Sequence, residues 1–153
     1  MIRPGTPQDA RFLRDMLRHA YYWRWGRPEA EDIPNSRYVE GFGRPGDAAV
    51  IALDRGFPVG AAWYRVFKRE RPGYGFVDEQ TPELSIAVVP SRRGAGIGGE
   101  LMSAVLAHAR AQGYESISLS VAKDSPAVAL YERYGFQRVD ERDGALTMRM
   151  GLA

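Results

Sequence analysis

Apolar side chains recur at helical spacing in some parts of this chain and at strand spacing in the parts between them. The helical pattern predicts helices over about residues 7–20, 97–112 and 127–134, and a further short helix over about residues 36–42. The strand pattern predicts a short first strand at residues 2–3 and longer strands at residues 48–53, 59–67, 84–89, 116–121, 136–139 and 145–152.

The order of these elements, βααβββαβαββ, favours a mixed sheet flanked by helices, an α/β fold of the α+β type. Tight-turn residues at Asp54-Arg55-Gly56 and Asp143-Gly144 predict two β-hairpins. The chain shows no repeat, linker or low-complexity tract. One domain over residues 1–153 is therefore expected.

The amino-acid composition excludes several kinds of site. The 153 residues are 44% hydrophobic and 26% charged, which is ordinary for a globular domain. The chain has no cysteine, which excludes disulfides, thiolate nucleophiles and cysteine-based zinc sites. Its histidines, His19 and His108, lie in separate helical patterns, so no metal site is expected.

The charge and hydropathy of the chain limit the kinds of partner that are expected. The 21 basic and 19 acidic residues are mixed along the chain and give a net charge of +2, so nucleic acid is not an expected partner. No run of about 18 apolar residues occurs, and the first four residues do not resemble a signal peptide. A cytoplasmic protein without a membrane partner is expected.

Residues 83–99 hold the clearest candidate site. A buried strand pattern ends at Pro90, and four glycines within the six residues 94–99 follow, where a helix pattern begins. Backbone N–H groups in such a glycine turn, together with the positive end of a helix, bind phosphate. Residues 94–99 also satisfy G-x-G-x-x-G, which leaves a dinucleotide-binding domain open. Only about fifty residues follow, too few for the remaining units of a dinucleotide fold, and no Gly-Lys-Ser/Thr follows that would make a P-loop.

Two spaced motifs carry a family resemblance. Residues 93–98, Arg-Gly-Ala-Gly-Ile-Gly, resemble the R/Q-x-x-G-x-G/A signature of the GNAT superfamily of acyl-CoA-dependent N-acyltransferases. Residues 127–136 contain A-x-x-L-Y-x-x-x-G-F, which is similar to the second motif of that family. The resemblance implies a mainly antiparallel sheet with a splayed parallel pair of central strands. It also implies transfer of acetyl from acetyl-CoA to a primary amine of a small molecule or a peptide or protein, by direct attack in a ternary complex.

The resemblance implies a coenzyme A site at the glycine loop, the end of the preceding strand and the start of the last helix. Its residues are Val88, Val89, Arg93, Gly94, Ala95, Gly96, Ile97, Gly98, Gly99, Ser125, Ala127 and Tyr131. In the family the central strand bulges near its end, so the backbone of Val88 and Val89 would hold the pantetheine arm and the thioester carbonyl. Arg93 would add charge, or would be a solvent-facing loop arginine. Ser125 stands where many relatives carry Asn, and its shorter side chain weakens that contact.

Two residues are the candidate catalysts. Lysine-like amines have a pKa of about 10.4, so a general base is useful at neutral pH. The resemblance points to Glu83 as a base acting through water, with Asp78 and Glu79 as substitutes and an idle strand-edge glutamate as the alternative. Tyr131 matches the general acid of the family, which protonates the leaving thiolate; the alternative is an aromatic side chain that only packs.

The acceptor would be recognised where no motif exists. The aromatic cluster with Tyr22, Trp23 and Trp25, and Tyr74 in the aperiodic segment 68–81, are the candidate substrate residues. Aromatic faces beside carboxylates suit a cationic amine. The alternative for the aromatic cluster is that its rings only cap the core. Segment 68–81 is expected to be a mobile loop that folds over the substrate, and the alternative is an inert solvated loop. A non-catalytic acyl-CoA sensor stays open as a second function, and a homodimer, common in the family, stays open as the assembly.

Overall fold

The computed structural model describes residues 1–25 and 36–152 and shows one seven-stranded mixed sheet covered by helices on both faces. The strands are β1 (Ile2–Pro4), β2 (Ala48–Asp54), β3 (Phe57–Arg65), β4 (Glu83–Val88), β5 (Ser116–Ala122), β6 (Gln137–Arg142) and β7 (Ala145–Gly151). The α-helices of this part are α1 (Ala10–Trp25), α2 (Ile97–Ala111) and α3 (Ala127–Tyr134), and short 3-10 turns lie at Pro7–Asp9, Ser36–Tyr38 and Pro90–Arg92.

The strands lie in the order β1-β2-β3-β4-β5-β7-β6. Neighbours are antiparallel except for β4 and β5, which are parallel. The expected mixed sheet with one parallel central pair is therefore confirmed. Both expected hairpin turns are present, and Arg55-Gly56 and Asp143-Gly144 have positive φ at both positions, as a type I′ turn requires.

Two predicted helices differ in the structure. Helix α1 continues to Trp25 instead of ending near residue 20. The helix expected over residues 36–42 is only the 3-10 turn Ser36–Tyr38. Gly41 and Gly43 have φ of +62° and +116°, so the backbone leaves the helical region there.

The parallel pair separates along its length. Strands β4 and β5 pair at a single position, where Glu83 lies opposite Ser118. There the amide of Ser118 donates to the carbonyl of Pro82 at 3.0 Å. Beyond this point the two strands no longer pair, and a gap opens toward Val88. The expectation of a bulge in β4 is wrong, because its register with β3 runs unbroken from Glu83 to Val88. The split therefore lies between regular strands.

Each face of the sheet has its own apolar core. Helix α2 packs on one face through Leu101, Met102 and Val105, and α3 adds Val128 to the same cluster. Helix α1 packs on the other face through Leu13, Met16 and Leu17, which contact a cluster that includes Ala87 of β4. Among the described residues, no helix has both the length and the apolar character needed to cross a bilayer.

Candidate active site

A cavity of about 480 Å³ opens where β4 and β5 separate. Among the described residues, its walls come from the end of β4, the glycine loop, the start of α2, helix α3 and His19 of α1. The lining residues are His19, Ile86, Ala87, Val88, Arg92, Arg93, Gly94, Gly98, Met102, Ser125, Pro126, Ala127, Leu130, Tyr131 and Tyr134.

The cavity brings together much of the site expected from the sequence. The coenzyme candidates in its wall are Val88, Arg93, Gly94, Gly98, Ser125, Ala127 and Tyr131. The other candidates, Val89, Ala95, Gly96, Ile97 and Gly99, are not in the lining and lie beside it in the chain. Two motifs that are about thirty residues apart in sequence thus form a single wall.

The first turn of α2 presents backbone N–H groups without a side-chain cap. Gly96 is the N-cap residue, and the first bond of the helix runs from the amide of Glu100 to the carbonyl of Gly96 at 3.1 Å. The amides of Ile97, Gly98 and Gly99 precede that bond and have no partner within the helix. With the positive end of the helix dipole, they form a site suited to phosphate oxygens.

Different glycines of the loop are required for different physical reasons. Gly94 and Gly96 have φ of +86° and +82°, a left-handed conformation that other residues rarely adopt. Gly98 has no such φ, and a Cβ there would meet no protein atom within 4 Å. Since Gly98 lines the cavity, a side chain at this position would occupy space that a ligand needs.

At the end of β4, the backbone contact expected from Val89 is not possible. The amide of Val89 donates to the carbonyl of Val59 at 2.8 Å, so Val89 cannot offer that N–H to a ligand. Backbone groups alternate sides along a strand, so the amides of Ile86 and Val88 point the other way, toward the gap beside β5. Val88 is therefore the residue of the predicted pair with an amide directed into the gap.

Arg93 and Ser125 hold the backbone on opposite sides of the cavity. The Nε of Arg93 donates to the carbonyl of Val88 at 3.2 Å, which ties the loop back to β4. The Oγ of Ser125 accepts a hydrogen bond from the amide of Ala127 at 3.1 Å, so the serine caps the start of α3 as expected.

Tyr131 lies on the side of α3 that faces the cavity. Its ring packs edge-on against Phe136 with 5.9 Å between centroids. Burial raises the pKa of Tyr131 to about 12. The phenol therefore stays protonated at neutral pH, which is the state that a proton donor needs.

Glu83 is buried at the opposite end of β4, 2% exposed. Its Oε2 accepts hydrogen bonds from the hydroxyl of Tyr38 and from the amide of Gly75, the latter at 3.0 Å. Gly73 packs so closely over the carboxylate that an added Cβ would clash with it. Of the residues that the structure describes, Glu83 is not one that lines the cavity.

The segment 68–81 is fixed to the sheet instead of standing away from it as a loose cover. The carbonyl of Gly75 accepts a hydrogen bond from the Oγ of Ser118 at 2.7 Å, and the amide of Tyr74 donates to the hydroxyl of Tyr38 at 2.7 Å. Tyr74 is 43% exposed. This segment therefore covers the parallel junction and the carboxylate of Glu83.

The remaining candidates are placed as follows. The substitute bases accept backbone hydrogen bonds within the segment, Asp78 from Gln80 and Glu79 from Arg69, each at 2.9 Å. Tyr22, Trp23 and Trp25 lie in the last turns of α1, and their side chains are outside the described part of the structure.

Sequence reasoning missed several residues of this region, among them His19, Arg92 and Tyr38. His19 and Arg92 line the cavity, and Tyr38 contacts Glu83. His19 lies three residues after Met16 and thus on the same side of α1, which was a usable signal. Nothing in the sequence pairs Tyr38 with Glu83, which is 45 residues away.

A sheet split at its single parallel pair, with an uncapped glycine-rich helix start at the mouth of the split, defines the fold and site of the acyl-CoA-dependent N-acyltransferases. The chain belongs to the Acetyltransferase (GNAT) family, whose profile matches residues 10–136.

Individual relatives agree with this assignment. The chain is 34% identical over 141 residues to a mycothiol acetyltransferase of Salinispora tropica, a match that covers 89% of this chain and 43% of the relative. The chain thus spans less than half the length of that relative.

Solved structures show the same fold. A ribosomal-protein-alanine N-acetyltransferase from Brucella melitensis superposes with a TM-score of 0.71 and 25% identity, over 99% of both chains. A phosphinothricin acetyltransferase from Sinorhizobium meliloti, solved in complex with acetyl-CoA, superposes with a TM-score of 0.71 and 24% identity, over 100% of this chain and 88% of the other.

Proposed function

We propose that this chain transfers the acetyl group of acetyl-CoA to a primary amine of a small molecule or of a peptide or protein, by direct attack in a ternary complex. The observation that carries the proposal is the cavity at the split of the sheet. It joins the uncapped start of α2 to the inward-pointing amides of β4 and to the phenol of Tyr131.

The residues fit coenzyme A at two points. The amides of Ile97, Gly98 and Gly99 would hold the pyrophosphate, and Arg93 beside them would add positive charge. The gap beside β4 would hold the extended arm, because the backbone of Ile86 and Val88 is directed into it. When bound, acetyl-CoA supplies an acetyl thioester.

The chain supplies the groups that polarise the thioester and move protons. The amide of Val88 would donate a hydrogen bond to the thioester oxygen, where negative charge develops during attack. Tyr131 would protonate the departing sulfur. A thiol has a pKa of about 8.5, so water can do the same more slowly. Loss of the phenol should therefore slow the reaction without abolishing it.

Glu83 is the proposed base for the ammonium form of the acceptor. Its carboxylate is held by Tyr38 and Gly75 and lies outside the cavity lining, so we propose that it removes a proton through water. This removal converts the arriving ammonium into a neutral amine that can attack.

The acceptor is proposed only as a class. The relatives carry names that refer to mycothiol, to phosphinothricin and to an alanine of a ribosomal protein. These names include a protein acceptor, so they do not choose between small and large amines. The homodimer and the cytoplasmic location stay predictions, and light scattering of the purified chain tests the first.

A thiol-release screen tests the proposed function. The purified chain is given acetyl-CoA with polyamines, aminoglycosides, amino acids and peptides with free N-termini, and mass spectrometry identifies the acetylated product. Release of coenzyme A with one of these acceptors is expected. Tight binding of acetyl-CoA without release would favour the sensor, and displacement of acetyl-CoA by NAD or ATP would favour a nucleotide-binding domain.

Two variants test the assigned roles. Glu83→Gln should lower kcat by about 10²-fold or more, and Tyr131→Phe should lower it by a smaller factor. The matched controls are Glu141→Gln on the exposed strand β6 and Tyr114→Phe, which packs against Tyr64 away from the cavity. Unchanged turnover in Glu83→Gln would remove the base assignment.

A further inference from the structure

His19 of α1 lies in the wall of the cavity. Helix α1 packs on the face of the sheet to which Ala87 contributes its side chain, and Ala87 lines the cavity together with His19. The imidazole thus reaches the cavity from the face of the sheet opposite α2 and α3. It shares the cavity lining with Val88, whose amide is directed into the gap.

The surroundings of His19 keep the imidazole neutral. Partial burial lowers the pKa of His19, the positive charge of Arg93 lowers it further, and Asp15 on α1 opposes both effects. The other titratable groups of the described cavity wall are Arg92 of the 3-10 turn and Tyr131 and Tyr134 of α3. At neutral pH the imidazole is therefore in the form that accepts a proton.

Glu83 is too remote to serve the same purpose directly. It precedes Ala87 by four residues along a regular strand, which at about 3.3 Å per residue places the two Cα atoms about 13 Å apart. An acceptor that arrives as an ammonium ion must lose two protons before it becomes an amide. One distant carboxylate that acts through water accounts for the first proton only.

We propose that His19 is a catalytic residue that accepts the second proton, the one that the amine loses as its nitrogen bonds to the acetyl carbon. The proposal rests on the proposed acetyl transfer and adds a group to it. The N–C bond forms, the C–S bond breaks with its electron pair on sulfur, and Tyr131 gives that sulfur a proton. The proton on His19 then returns through water to the Tyr131 oxygen, so the enzyme is restored and one proton, taken by way of Glu83, is released to solvent.

The test compares the two histidines of the chain. His19→Gln keeps a hydrogen-bonding side chain that cannot titrate, and His108→Gln is the matched control, since His108 is on α2 and contacts Tyr64 at 2.7 Å. The acceptor is one found in the thiol-release screen. We expect kcat to fall by about 10²-fold or more in His19→Gln with KM for acetyl-CoA nearly unchanged. His108→Gln should resemble the parent protein.

The pH profile of kcat/KM separates a base from a packing residue. In the parent protein the rate should rise with pH as His19 loses its proton, at a value below that of an ordinary histidine, and His19→Gln should lack this rise. Glu83→Gln should keep it. Imidazole added to the solution should restore part of the activity of His19→Ala and none of that of Glu83→Gln.

Three outcomes would overturn the proposal. His19→Gln with unchanged kcat and pH profile would remove His19 from the reaction while the acetyl transfer stands. A loss of activity in His19→Ala that imidazole does not restore, in a variant that still binds acetyl-CoA, would assign a packing role. Absence of turnover in the parent protein with every amine would remove the proposed function and this inference together.

Discussion

The guanidinium of Arg65 and the carboxylate of Asp47 form a two-point ion pair in the interior of the protein. The Nε–Oδ1 and Nη2–Oδ2 distances are 3.0 and 2.9 Å, and the two side chains are 1% and 2% exposed. Arg65 also lies opposite Glu83 in the register of β3 with β4. The pair therefore supports the strand end that carries the proposed base.

Replacing Asp47 with Ala should lower the free energy of unfolding by about 3 to 5 kcal/mol, because a buried guanidinium would lose its counter-charge. Urea denaturation measures the change. The control is Asp140→Ala, which breaks an exposed pair with Arg142 and should cost about 1 kcal/mol or less. Equal losses in the two variants would contradict a structural role for the buried pair.

Gly98→Ala should weaken acetyl-CoA binding without weakening the fold. A methyl group at this position meets no protein atom within 4 Å but points into space at the cavity wall. We expect KM for acetyl-CoA to rise about tenfold or more, while the melting temperature stays the same or rises, since Ala is the better helix former by about 1 kcal/mol. Gly151→Ala, also in open space but far along β7, is the control and should change neither.

Gly75→Ala should release the segment 68–81 from the sheet. A Cβ on Gly75 would lie 2.6 Å from the backbone carbon of Leu119, and a central strand cannot move aside as a flexible side chain can. Trypsin should then cut faster after Lys68 and Arg69, and kcat should fall because the amide of Gly75 no longer holds Glu83. An unchanged digestion pattern would show that the strand accommodates the methyl group.

The phenol of Tyr131 should ionise about two pH units later than an ordinary tyrosine, because burial raises its pKa from 10.0 to about 12. Ultraviolet titration of the phenolate, compared with Tyr131→Phe, isolates this step from that of Tyr64, because burial raises the pKa of Tyr64 to about 12 as well. The unfolded chain ionises first, so the stability that this group contributes is complete below about pH 10 and is lost as the pH rises through about 12. A difference spectrum centred at pH 10 would contradict the burial of this phenol.

Local signals in the sequence were sufficient for most of the elements and for the glycine loop. The hydrophobic period, the turn residues and the glycine spacing each depend on residues that are close in sequence. The strand before the loop and the helix after Gly96 were therefore predicted within a residue or two. Helix α1 was predicted too short, because the aromatic residues after residue 20 favour strands in isolation and the next stop signal is Gly26.

Contacts between distant segments could not be predicted in the same way. The amide of Val89 donates to the carbonyl of Val59 because of the register between β3 and β4. A shift of one residue in that register would turn this amide toward the other side of the strand. The segment 68–81 has no period because its backbone bonds to side chains of Tyr38 and Ser118, which come from elsewhere in the chain. The roles of Glu83 and Tyr131 stay predictions, since position alone does not show a reaction.

The split between β4 and β5 also bears on how the protein unfolds. The four strands up to β4 and the three from β5 onward share a single register pair, so main-chain bonds do little to make the two parts melt together. Side chains do that instead, because the core beneath α2 joins Leu84 of one part to Ile117 of the other. The cooperativity of unfolding thus depends on apolar packing across a line where the sheet itself is nearly discontinuous.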